Sequence, residues 1–189
     1  MSLKVFHTAD LHLGMTFGSR SYPEEVQRQL VEARYEALER LVELANEAQC
    51  RLFLVAGDLF HRVQIPREII ARVMRSLSRF QGDCVAVLPG NHDYCDGYGS
   101  LWKEMRELAP DSLLLLIDTV PYPLHDYGID AVLYPAPCHR KHSRDNRLGW
   151  IRELAERPAA GWQLGVAHGT VRGISPDPEG EYFPMDEDE

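Results

Sequence analysis

This 189-residue sequence predicts a layered α/β domain, and three observations predict it. Short apolar runs alternate with amphipathic stretches over the first hundred residues. Beyond that the apolar runs lie closer together and helical spacing thins out. Four of the runs end in polar residues of one chemical type, and in open α/β sheets ligands sit beyond the carboxyl ends of the strands.

Leu3 to Thr8 reads as a short buried strand. Pro23 to Gln49 reads as a long helix, with Val26, Leu30, Leu38, Leu41, Val42 and Ala45 near helical spacing. Ser21-x-x-Glu24 before it predicts a capping box, with Pro23 in the first turn. Arg51 to Ala56 is a second strand. Arg67 to Phe80 is a second helix, turning Ile69, Ile70, Val73, Met74, Leu77 and Phe80 inward. Cys84 to Leu88 is a third strand and Gly99 to Leu108 a short helix. Three further strands follow, Leu113 to Ile117, Ala131 to Tyr134 and Gln163 to Ala167. A helix is expected between the last two, near Asn146 to Arg157.

Composition is that of an ordinary globular chain, 44% apolar and 26% charged. The start lacks the basic and apolar regions of a signal peptide, and the longest aliphatic run, Leu113 to Ile117, is far too short for a bilayer. Cys50, Cys84, Cys95 and Cys138 are widely spaced with no C-x-x-C pair, which predicts a reduced, cytoplasmic chain without a cysteine metal site. The net charge of −9 is unevenly spread. Seven acidic residues and no Lys or Arg lie from Asp177 to the end. Without those seven, the body is close to neutral and can carry a local basic face. The acidic end is expected to be a solvated, mobile segment.

Strand one ends in Asp10-Leu11-His12, strand two in Gly57-Asp58, strand three in Gly90-Asn91-His92-Asp93, and the last in His168-Gly169. Asp10, His12, Asp58, Asn91 and His168 mix carboxylate, amide oxygen and imidazole, a set suited to divalent ions such as Mn, Fe or Zn. Gly57 and Gly90 allow sharp turns beside the ligands. A carboxylate with two oxygens can bridge two ions, and Asp58 is the natural candidate.

These motifs, D-x-H, G-D, G-N-H-D and a later His in that order, resemble the calcineurin-like metallophosphoesterases. The phrases HTADLHLG (His7 to Gly14) and AGDLFHR (Ala56 to Arg62) resemble, within that superfamily, the SbcD/YhaO-type DNA repair exonuclease subunits. The resemblance implies a layered αββα sandwich over residues 1–189 and two divalent ions, Mn foremost with Fe, Zn or Mg as alternatives. It implies that Asp10 and His12 hold the first ion, that Asp58 bridges, and that Asn91 and His168 hold the second. It implies that His92 stabilises the transition state or protonates the leaving oxygen, that Asp93 orients His92 by a hydrogen bond, and that His61 lies near the scissile phosphate. The expected partners are DNA, an ATPase subunit and a second copy of the chain.

The family's last motif, Gly-His-x-His, is absent, so residues 176–189 are expected to lead toward it in a C-terminal extension. His7, His125, His139 and His142 match no motif; His7 is expected to be structural and the other three to lie at the surface. Arg72, Arg75 and Arg79 share one helical face, and His139, Arg140, Lys141, His142, Arg144 and Arg147 form a second basic cluster. Both are candidate DNA contacts. A phosphodiesterase or phosphatase for a small ester and a non-enzymatic scaffold are the competing readings.

Overall fold

The computed structural model describes residues 2–18, 21–177 and 179–186. Strands β1 (Val5–Thr8), β2 (Leu52–Ala56), β3 (Cys84–Leu88) and β4 (Leu113–Leu115) form a parallel sheet in that order. Strands β5 (Tyr122–Pro123), β6 (Ala131–Ala136) and β7 (Trp162–Ala167) form a second sheet, antiparallel between β5 and β6 and parallel between β6 and β7. Helices α1 (Glu24–Glu47), α2 (Arg67–Leu77) and α3 (Ser100–Leu108) flank the first sheet, and 3₁₀ turns lie at His125–Tyr127 and Gly149–Glu153.

The period-two geometry of β2 and β3 explains the layers. Phe53, Val55, Val85 and Val87 face one way, into a core shared with Leu38 and Val42 of α1, Ile70 and Leu77 of α2 and Met105 of α3. Leu52, Ala56, Cys84, Ala86 and Leu88 face the other way, against Ala131, Leu133 and Val166 of the second sheet. Both faces of β3 are covered, so it is buried along its whole length, whereas the edge strand β1 alternates exposed and half-buried residues.

Four expectations change. Ser21 and Glu24 do not form a capping box. Pro23 occupies the N-cap, two residues past Ser21, and no side chain caps α1. The expected 146–157 helix is a 3₁₀ turn over Gly149–Glu153. Gly149 and Pro158 bracket too few residues for a stable α-helix. That turn packs on the second sheet: Trp150 Nε1 donates to the Pro135 carbonyl at 3.1 Å, and its ring meets Tyr134. The two-residue strand β5 was not foreseen, since Tyr122-Pro123 is too short for alternation to show.

The acidic end, where described, folds back on the domain, although Glu179 and Asp186 stay exposed to solvent. Asp177 accepts N–H bonds from Glu181 and Tyr182 and a hydroxyl bond from Thr170. Phe183 is buried, and isolated bridges join Ser143 to Tyr182 and Val171 to Met185. Glu187, Asp188 and Glu189 lie outside the described residues.

Candidate metal centre

The loops leaving β1 and β2 run together beyond the sheet. Asp10 N–H donates to the Gly57 carbonyl, His12 N–H to that of Asp58, Leu13 N–H to that of Leu59, and His61 N–H back to that of Leu13, at 2.9 to 3.2 Å. This ladder puts Asp10, His12, Asp58 and His61 on one rim. The fit has a conformational cost. Asp10 (φ 58°), His12 (φ 46°) and Asp58 (φ 54°) all adopt the left-handed region, which disfavours non-glycine residues and recurs at functional sites.

Gly90 is required for close approach. A Cβ there would lie 2.1 Å from Asp58 Oδ1. Gly57 (φ 94°) meets the same demand from the other side, since its Cβ would fall 2.4 Å from the His168 ring.

Asp58 is 1% exposed. Its Oδ1 accepts the His92 backbone N–H at 2.9 Å. Its Oδ2 lies 3.6 Å from His12 Nε2 and 3.6 Å from His168 Nε2. One oxygen is thus anchored and the other stands midway between two imidazoles. Burial opposes the Asp58 charge, but His168 and the His92 N–H outweigh it and hold the carboxyl below its usual range.

His168 Nδ1 lies 2.8 Å from the Ala56 carbonyl, which holds the proton on Nδ1 and aims Nε2 at Asp58 and at Asn91 Oδ1, 3.2 Å away. Burial works against the imidazolium here too, but the Asp58 carboxylate prevails and carries His168 up to about 9. His12 Nε2 is 3.6 Å from Asp10 Oδ1, and its buried Nδ1 has no hydrogen-bond partner. Desolvation holds His12 below its ordinary value, so it stays neutral with a lone pair to offer.

Asp10, Asp58 and His168 bring ligand atoms within 4.8 Å of one another, as do His12, His61 and His92. Carboxylate oxygens, an amide oxygen and imidazole nitrogens converge with no sulfur among them. That donor chemistry fits hard-to-borderline divalent cations.

The three histidines beside the rim pack ring on ring. His61 stacks on His92 with centroids 5.2 Å apart, and His12 meets both edge-on. His92 Nδ1 lies 3.1 Å from the His61 carbonyl. That carbonyl, rather than Asp93, orients the ring. Asp93 is fully buried, and its carboxylate accepts the N–H groups of Gly90 (2.7 Å) and Phe60 (2.9 Å). Its carbonyl accepts Trp102 Nε1–H at 2.6 Å. Asp93 therefore braces the β3 exit against the β2 exit and against α3. Nothing in G-N-H-D marks that difference, because the partners are backbone N–H groups, one of them 33 residues away.

The basic clusters are mostly committed elsewhere. Arg72 makes a two-pronged pair with Glu32 and lies over the Tyr35 ring, and Arg79 pairs with Glu39 and Glu43, so this face binds α2 to α1. Arg140 pairs with Asp145 and Arg144 with Glu181. His139 is half-buried, its Nδ1 2.8 Å from the Cys95 carbonyl, while His125 and His142 are exposed as expected.

No helix among the described residues is long and apolar enough to cross a membrane. A family model described as calcineurin-like phosphoesterase matches residues 3–188. With a two-sheet sandwich whose strand exits deliver this ligand set to one rim, the chain belongs to the calcineurin-like phosphoesterases.

Proposed function

We propose that this chain is the phosphoesterase part of a metal-dependent DNA nuclease of the double-strand-break repair type. One observation carries the reading: the rim of Asp10, His12, Asp58, Asn91 and His168 is joined by His61, whose ring stacks on His92 at its mouth. His61 belongs to the AGDLFHR phrase that resembles the repair exonucleases.

Asp10 and His12 would hold one ion, Asn91 and His168 a second, with Asp58 between them. Mn is the first candidate, with Fe, Zn or Mg as alternatives. Such ions supply neutralisation of phosphodiester charge and a water of lowered pKa. The protein's own part is positional. The His61 carbonyl keeps a proton on His92 Nδ1 and leaves Nε2 facing the substrate; protonated there as well, the imidazolium would donate to a phosphoryl oxygen as charge develops or pass that proton to the leaving oxygen. The ring of His61 walls the approach. By the same resemblance, the partners are an ATPase subunit and a second copy of the chain, in the cytoplasm.

The test is Mn-dependent release of nucleotides from end-labelled linear duplex DNA, with Asp58→Asn and His61→Ala alongside. Release that Asp58→Asn abolishes supports the reading. Turnover of a small diester with DNA left intact would replace it with a small-ester phosphodiesterase. Failure to bind any divalent ion, in this chain and in one extended through Gly-His-x-His, would leave a scaffold.

A further inference from the structure

The first loop carries a feature that the ligand rim does not use. After Leu13 the chain turns at Gly14 and presents Phe17 at φ 57°. A bulky aromatic side chain in the left-handed region persists only where its surroundings impose it. Arg34 of α1 ties down the loop that carries it. Its Nη1 donates to the Leu11 carbonyl at 2.7 Å, its Nη2 lies 3.6 Å from Met15 Sδ, and its guanidinium sits 5.3 Å from the Phe17 ring centroid. Arg34 Nε is buried without a hydrogen-bond partner.

Between this loop and the β2 exit lies a cavity of about 540 Å³, walled by Met15, Thr16, Phe17, Arg34, His61 and Arg62. Its volume is that of a small-ligand site. The wall has two guanidinium groups and no carboxylate. By contrast, the Arg144 and Arg172 cavity near the C-terminal end includes Asp177 and Glu179 in its lining. A cavity with an aromatic wall, a cationic wall and one edge on the phosphoesterase rim calls for a flat ring joined to an anion.

We propose that this cavity is a nucleotide subsite. It takes the nucleotide beside the scissile phosphodiester, with the base against Phe17 and Met15 and the phosphate toward Arg62 and Arg34. His61 is the shared wall between this subsite and the reacting phosphorus. The inference rests on the phosphoesterase reading only for the word scissile; the pocket's chemistry stands apart from it.

The test is calorimetric titration of the 189-residue chain in EDTA with deoxyadenosine monophosphate, inorganic phosphate and deoxyadenosine as separate probes. The nucleotide is expected to bind on the order of tenfold more tightly than phosphate, as one stacked base confers. Phe17→Ala should erase that margin, Phe17→Trp should keep it, and Arg62→Met should weaken both phosphate-bearing probes. Equal binding of nucleotide and phosphate by the unmodified chain, or unchanged nucleotide binding by Phe17→Ala, overturns the subsite. A parallel assay of Mn-dependent hydrolysis of bis(p-nitrophenyl) phosphate separates the two claims. Hydrolysis without nucleotide binding removes the subsite alone. Phe17-dependent nucleotide binding without hydrolysis removes the phosphoesterase reading and leaves the subsite.

Discussion

Gly90→Ala tests how tightly the rim is built. A Cβ on residue 90 would lie 2.1 Å from Asp58 Oδ1 and 2.3 Å from its backbone nitrogen, where ordinary contact begins near 3.4 Å. Something must yield by about 1 Å, and little nearby can. Asp58 Oδ1 holds the His92 N–H, the Asp58 carbonyl holds the His12 N–H, and the Gly90 N–H is itself held by Asp93. Overpacking of this kind costs about 1–3 kcal/mol, which lowers the melting temperature of a chain this size by several degrees. A carboxylate displaced by that much should weaken divalent-ion binding about 10- to 100-fold. Calorimetric Mn titration and melting in EDTA measure the two effects. Gly149→Ala is the control, since its Cβ would meet nothing within 4 Å. If Gly90→Ala binds Mn and melts as the unmodified chain does, Asp58 is not pinned where these contacts put it.

Three further outcomes are expected. Trp102→Phe removes the indole N–H from the buried Asp93 carbonyl and should cost about 1–3 kcal/mol, read by denaturant unfolding; a neutral substitution would mean the carbonyl has another donor. The metal-free chain should lose stability as pH rises from 6.5 through 9. His168 titrates near 9 when folded against an ordinary 6.5, so its contribution, on the order of 3 kcal/mol, is complete below 6.5 and gone above 9. Burial lifts Asp93 to about 7, which acts in the same direction at lower pH, below 7; a melting temperature in EDTA that climbs from pH 6.5 to 9 would contradict the His168 contribution. Arg72→Met should cost about 1 kcal/mol through the lost Glu32 pair and Tyr35 contact while leaving the salt dependence of DNA binding unchanged, because that guanidinium faces α1; a shallower salt slope would return the α2 face to the DNA interface.

The centre of the first sheet was legible because β2 and β3 are buried on both faces and run into Gly57 and Gly90. Cys84–Leu88 matches its predicted bounds, and the flanking helices lie within a few residues of theirs. The second sheet was less legible. Its first strand, β5, has two residues, and β7 shows mixed exposure, so alternation carries little signal there. The candidate ligand residues could be named because each side chain stands at a strand exit. What could not be read was which backbone group each would meet. Asp93 was assigned to His92 and instead holds Phe60 and Gly90, and the acidic run hid Asp177 as the organiser of a packed loop. The Phe60 pairing joins residues 33 apart in sequence, and the local ones use backbone N–H groups, which every residue type but proline offers, so no side-chain pattern marks them.

The opening of the rim can be traced to a division between side chains and backbone. His61 contributes two separable things to His92, a carbonyl that fixes the imidazole and a ring that stacks on it. Only the ring is lost on substitution by alanine. The His61 N–H is held by the Leu13 carbonyl, and Leu13 is fully buried, so the backbone of residue 61 stays fixed by contacts that do not involve its side chain. A loss of DNA cleavage in His61→Ala would therefore report the ring's action at the substrate, with the His92 tautomer preserved. The same reasoning explains the left-handed φ angles at Asp10, His12 and Asp58. Between them runs a parallel ladder of N–H···O bonds that over-determines the backbone, so the side chains converge on one another without needing to bond directly.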